Sequence, residues 1–341
     1  MKVRSLKKGI RLLCFLSLAA FVLYLADCVL CVKSPHGVDQ MRYLYAQPRN
    51  KIDVLFLGTS HIHCNVDTQI LWDEYGMAAY LCTGAEQPMW NSYYGLKEAL
   101  KTQKPRLVVL DVFAPARFYD DYQEKWLGEN LDGMKRSLNK LEAVWASAPS
   151  DRTEFFLGYP RYHDRYDKLT GEDFRNFFWN RGEMARWKGY TPLTNHAELT
   201  EPDMSHVTQS RPMTEKSRLY FDKIVELTRK EGIDLALVSA PYLLEEEDQE
   251  VYNFLRELAE EEGLLFLDSN TTENYRRMDL DFSLDYADHA HLNEGGSAKF
   301  TGFLGDWLRE NYEIPDRRQE KGYDSWKNQI RREEAEQDDA E

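Results

Sequence analysis

The apolar positions of this chain fall into two regimes. From Leu12 to Val32 they run almost without a break, over 21 residues, with Asp27 near the far end. A helix needs about 20 apolar residues to cross a bilayer, so residues 12–32 read as a membrane-spanning segment. Residues 33–52 show little pattern and read as a linker. From Asp53 onward, short apolar runs alternate with stretches of helical period. Val54–Leu57, Ala78–Cys82, Leu107–Leu110, Leu235–Ser239 and Leu264–Leu267 have the length and composition of buried strands. His61–Tyr75, Trp90–Thr102, Thr214 to about Lys230, Glu246–Glu261 and Glu294–Tyr312 carry helical spacing between and after them.

Residues 116–213 interrupt this rhythm. They hold no clear apolar strand but many aromatics, among them Phe155, Phe156, Tyr159, Phe177, Phe178 and Trp179, and read as a helical insertion. After Pro315 the residues are almost wholly polar, which predicts a disordered or loosely helical tail. The strand–helix alternation predicts an α/β fold of the flavodoxin-like, doubly wound kind: a mainly parallel five-stranded sheet with helices on both faces. The expected organisation is a basic N-terminus (1–11), a span (12–32), a linker (33–52), an α/β domain (53–315, with the insertion at 116–213) and a polar tail (316–341).

Charge narrows the function. A net charge of −15 argues against a nucleic-acid partner, because phosphate binding needs a basic face. Lys2, Arg4, Lys7, Lys8 and Arg11 precede the span and predict an inside N-terminus with the domain outside the cytoplasm. Tyr24-Leu25-Ala26-Asp27-Cys28 lacks the small residues of a cleavage site, so the segment reads as an uncleaved anchor. Cys14, Cys28 and Cys31 fall in the anchor. Cys64 and Cys82 read as two buried thiols, with a single bridge as the alternative.

Candidate chemistry gathers at the predicted strand ends. Ser60 follows the first strand in Leu57-Gly58-Thr59-Ser60-His61, Gly84 follows the second and Asp111 ends the third. Asp288 and His291 lie three residues apart in the loop beyond the fifth. Parallel sheets bind ligands at the carboxyl ends of their strands, so one edge is expected to collect residues more than 200 positions apart. A serine hydroxyl becomes a nucleophile when an imidazole takes its proton and a carboxylate orients that imidazole. Ser60, His291 and Asp288 fit those roles. Ser60 also suits a helix cap, and His61 and His63 suit a polar face beside the site or substrate contact. Metal binding by His61, His63, His289 and His291 is the weaker explanation, because it leaves Ser60 unexplained.

These blocks resemble the SGNH (GDSL-like) hydrolase superfamily. Gly58-Thr59-Ser60 is similar to its first block, Cys82-Thr83-Gly84 to its second, and Asp288-His289-Ala290-His291 to its last, over about residues 53–112 and 214–312. The resemblance implies Ser60 as nucleophile, His291 as base, Asp288 as its orienting acid, and an oxyanion hole from the N–H groups of Ser60 and Gly84, with no cofactor and no metal. The third block departs from the family: Leu110-Asp111-Val112 stands where Gly-x-Asn is usual. An ionised Asp111 has no proton for an oxyanion, so Gln87 or Asn91 is a candidate replacement donor, with His61 and Asp111 as further candidate contacts.

Gly-Thr-Ser-His near an anchor and His291-Leu292-Asn293 are similar to a membrane-anchored bacterial envelope branch. That branch includes teichoic-acid D-alanine transfer proteins and polysaccharide O-acetylation proteins. It implies an esterase or O-acyltransferase acting on an envelope glycopolymer or its acyl donor, partnered by a multispanning membrane O-acyltransferase. The competing reading is a non-catalytic binding or scaffold subunit of such an assembly.

Overall fold

The computed structural model describes residues 2–117, 124–175 and 181–332. Five strands form one parallel sheet in the order β2-β1-β3-β4-β5. They are β1 (Val54–Gly58), β2 (Ala79–Thr83), β3 (Leu107–Asp111), β4 (Asp234–Ser239) and β5 (Leu265–Asp268). This is the flavodoxin-like order, whose switch point lies between β1 and β3.

The strands read as unbroken apolar runs because the sheet is covered on both sides. Alternate residues feed different cores. Val54, Phe56, Ala79, Leu81, Val109 and Val238 pack with Leu71 of helix Thr68–Tyr75 and with Phe300, Leu304 and Leu308 of helix Glu294–Asn311. Leu55, Leu57, Tyr80, Val108 and Leu237 pack on the opposite face. There they meet helices Met89–Ala99, Glu215–Glu231 and Glu246–Glu262 through Leu96, Phe221, Ile224 and Leu255. Gly76, Gly232 and Gly263 close three of the helices in the left-handed conformation.

No strand of the sheet occurs between β3 and β4 among the described residues, where short helices run instead. Phe177, Phe178 and Trp179 of the expected insertion, and residues 333–341, lie outside the described residues. The helix Lys2–Leu30 holds one segment, Leu6–Leu30, long and apolar enough to cross a membrane. Cys64 and Cys82 are buried and are not joined in a disulfide.

Three segments differ from the sequence reading. The expected helix at 61–75 is two helices, Ser60–His63 and Thr68–Tyr75, because Asp67 caps the second by accepting the Gln69 amide. The linker contains helix Val38–Leu44, which buries Val38, Met41 and Leu44. The tail is packed as far as it is described. Arg317 donates twice to Asp53, at 2.9 Å each, and Trp326 is fully buried with its Nε1–H on the Ala79 carbonyl. Lys188 sits over the Trp326 ring and donates to Ser325 and Gln47. A few isolated anchors hold this segment, and these leave no periodic trace in a polar sequence. Trp326→Ala should therefore cost about 3–5 kcal/mol of stability and lower the melting temperature clearly. An unchanged melting curve would mean that the tail is dispensable.

Candidate active site

The site begins with a turn that only glycine permits. Gly58 ends β1 at φ +146°, and a Cβ there would collide with the Asp111 side chain. Asp111, at the end of β3, fastens the next residue. Its Oδ2 accepts the Thr59 amide at 2.9 Å and the Thr59 hydroxyl at 2.7 Å, while Oδ1 accepts the Phe113 amide at 3.0 Å. Thr59, extended, then caps helix Ser60–His63 by accepting the His61 amide. This clamp leaves Ser60 half-exposed at the switch point.

The last block meets it there. His291 Nε2 lies 2.8 Å from Ser60 Oγ, and His291 Nδ1 lies 3.0 Å from each oxygen of Asp288. Asp288 Oδ1 also accepts the amides of Ala290 (2.7 Å) and His291 (2.9 Å), so the loop wraps its own carboxylate. Partial burial pushes the Asp288 carboxyl up. The His291 imidazole and the two backbone N–H groups outweigh that and hold it below the usual carboxylate range. His289, next in sequence, is exposed and engages the body through its carbonyl, which accepts the Leu243 amide.

Asn65, which no sequence motif marks, ties the two blocks together. Its Oδ1 accepts the amide of Leu292, a fully buried residue beside His291. The only signal for it was its place five positions beyond Ser60.

Other expected contacts stand elsewhere. Asp111 is a clamp for the turn, with both oxygens engaged by backbone and hydroxyl donors, so it does not face a reacting group. Gly84 donates its amide to the Gly58 carbonyl at 3.1 Å, so that N–H is committed to backbone pairing. Its missing side chain makes room for Asn130, whose amide bonds the Ala85 and Trp126 carbonyls. Gln87 lies beside Gly84 and donates to Ser92, and Asn91 accepts from the Ser147 hydroxyl at 2.6 Å. The Ser60 amide takes no acceptor among the described residues.

His61 is buried between the Phe113 ring (centroids 3.5 Å apart) and Tyr242, and its ring lies 5.3 Å from that of His291. Neither of its ring nitrogens has a partner. Burial first, and then the neighbouring His291, keep its pKa well below the ordinary imidazole value, so it is neutral. His63 is likewise neutral through burial and meets Thr83 Oγ1. Among the described residues no group of three or more His, Cys, Asp or Glu is arranged to hold a metal ion.

No family model and no curated protein matches this chain. Among solved structures, it is similar to a candidate acylhydrolase from Bacteroides fragilis. The two are 12% identical, with a TM-score of 0.37, over 77% of this chain and 90% of that one. A likeness at that level leaves the functional reading to the geometry of the site.

Burial pushes the Asp111 carboxyl up to about 6 from 3.8, against the pull of its three donors. A folded-state value above the unfolded one means that ionisation is costlier in the fold. The associated stability is complete below about pH 4 and is lost as pH rises through about 6. Asp111→Asn would bring an N–H against the Thr59 or Phe113 amide, leaving a buried donor unmatched at a cost of about 1–3 kcal/mol. Thermal melts should therefore show the variant less stable at pH 4.5. Its deficit should shrink toward pH 7.5, because the wild type alone pays for ionisation. A deficit that widens with pH would contradict this account of the clamp.

Proposed function

We propose that this chain is a membrane-anchored serine esterase or O-acyltransferase of the SGNH kind. The observation that carries the reading is the continuous relay from Ser60 Oγ to His291 Nε2, and from His291 Nδ1 to Asp288. Asp288 keeps the proton on Nδ1, so Nε2 is free to accept from the serine. Ser60 attacks an acyl carbonyl, His291 takes its proton, and the collapsing intermediate expels an alcohol that His291 protonates. A water or sugar hydroxyl, activated by His291, then releases the acyl group from Ser60. The Ser60 amide is positioned to donate to the oxyanion. Because the Gly84 amide is already paired, the second donor that the resemblance implies is not ready to serve. One missing donor costs about 10²–10³ in rate, which suits slow transfer to a polymer hydroxyl better than rapid hydrolysis.

The substrate and setting follow from the resemblance and the span. The basic flank before the apolar segment favours an outside domain, where acyl esters of an envelope glycopolymer are the accessible substrate class. A multispanning membrane acyltransferase is the corresponding source of acyl groups. The shortage of ready oxyanion donors also favours a second reading, a binding subunit of the same assembly.

Turnover of a small acyl ester separates the two readings. Ser60→Ala and His291→Ala should each abolish it with melting temperatures nearly unchanged, because both side chains sit on half-exposed strand-end loops. Asp288→Asn should both lower the rate and loosen its loop, since Asp288 also holds two backbone amides. The Ser60→Ala/His291→Ala double variant should be no slower than either single variant, because the residues share a step. No turnover by the wild-type chain would favour the binding subunit, and activity surviving in Ser60→Ala would move the nucleophile to another residue.

A further inference from the structure

Away from Ser60, a cavity of about 400 Å³ opens where the N-terminal helix meets the body. On the helix side it is lined by Tyr24, Asp27, Cys28 and Cys31. Counted from Leu12, about 20 residues of span end near Cys31, so these side chains occupy the last turns, where acyl chains give way to headgroups. Tyrosine favours that depth.

The body side is cationic. Arg42, Lys135, Arg136 and Lys140 line the cavity against two carboxylates, Asp27 and Asp132. Each carboxylate already has one cationic partner. Arg136 pairs with Asp27, and Arg161 with Asp132 at 2.8 Å. Lys140 is 3% exposed, and its ammonium makes no hydrogen bond or ion pair among the described residues. Burial lowers its pKa, and the nearby Asp132 and Asp27 carboxylates counter that only in part, so a further anion beside it would offset more of the cost. Among the described residues Arg42 has only a long 4.0 Å contact with Asp39, whose other oxygen is held by Arg332. Asp27 and Asp132 each leave one oxygen without a donor, so an occupant has to bring hydrogen-bond donors as well as negative charge.

We infer that this cavity binds the headgroup of an anionic glycerophospholipid from the membrane the helix enters, with its phosphate on Lys140 and Arg42. A phosphoglycerol head fits both demands, because its phosphodiester is an anion and its hydroxyls can donate to Asp27 and Asp132. Its acyl chains would continue along the exposed apolar face of the helix, where Phe21 and Leu23 are more than half exposed. Such a lipid would fix the tilt of the domain on the bilayer. The inference shares only the membrane span with the proposed function and does not require Ser60 to react.

Native mass spectrometry of the full chain from mixed micelles tests it. Wild-type protein should retain one phosphatidylglycerol in preference to phosphatidylcholine, and phosphatidylglycerol alone should raise its melting temperature. Lys140→Gln and Arg42→Gln should each weaken retention about tenfold, the loss expected for a charged hydrogen bond. Ser60→Ala should retain the lipid as wild type does, whether or not ester turnover is ever found. Equal retention of the two lipids, or retention unchanged in both charge variants, would overturn the inference. So would displacement of the lipid by equimolar inorganic phosphate, which would make the site one for free anions. If Lys140→Gln does not fold, Arg42→Gln and the wild-type melting shift still decide.

Discussion

The buried carboxylate of Asp111 is the contact on which the site depends. It reaches from the end of β3 to the end of β1 and holds Thr59 by amide and hydroxyl together. That grip fits only because Gly58 has no side chain. Without it the chain would leave the sheet at a less defined angle, and Ser60 would be held less firmly toward His291. A charge-assisted pair of short bonds in a dry setting is a stiff clamp. The cost of burying the carboxylate shows in its raised pKa.

Around that clamp the sheet supplies placement and the loops supply chemistry. The helices on each face fill the two cores, which fixes where the strands end. The loop carrying Asp288 and His291 is held from two directions. Leu292 is buried and bonded to Asn65, while Asp288 gathers the backbone amides of its own turn. His61 fills the space behind, a neutral ring between Phe113 and Tyr242 that adds no charge beside His291. An uncharged wall there leaves the Asp288 carboxylate as the charged partner His291 meets directly.

The five strands were legible because parallel strands covered on both faces are continuous apolar runs. The meeting of Ser60 with Asp288 and His291 was legible because the strand-end rule gathers such loops on one edge. What escaped the sequence depends on single long-range contacts. Asp111 read as a faulty oxyanion donor because its partner, Thr59, stands 52 positions earlier. The Gly84 amide is committed to the Gly58 carbonyl, a partner 26 positions earlier that no motif marks. Trp326 and Arg317 anchor a polar segment that no periodic pattern marks. Asn65 had no motif at all. In each case the deciding term is a tertiary partner, which local propensity does not encode.

The central claim is that the hydroxyl of Ser60 is activated by His291. Reaction with a fluorophosphonate, followed by intact-mass and peptide analysis, tests it most directly, because it needs no knowledge of the acyl group or acceptor. One phosphonyl group per chain, mapped to Ser60 and absent when His291 is alanine, is the result this account predicts. An unmodified chain, or an adduct on another residue, would contradict it.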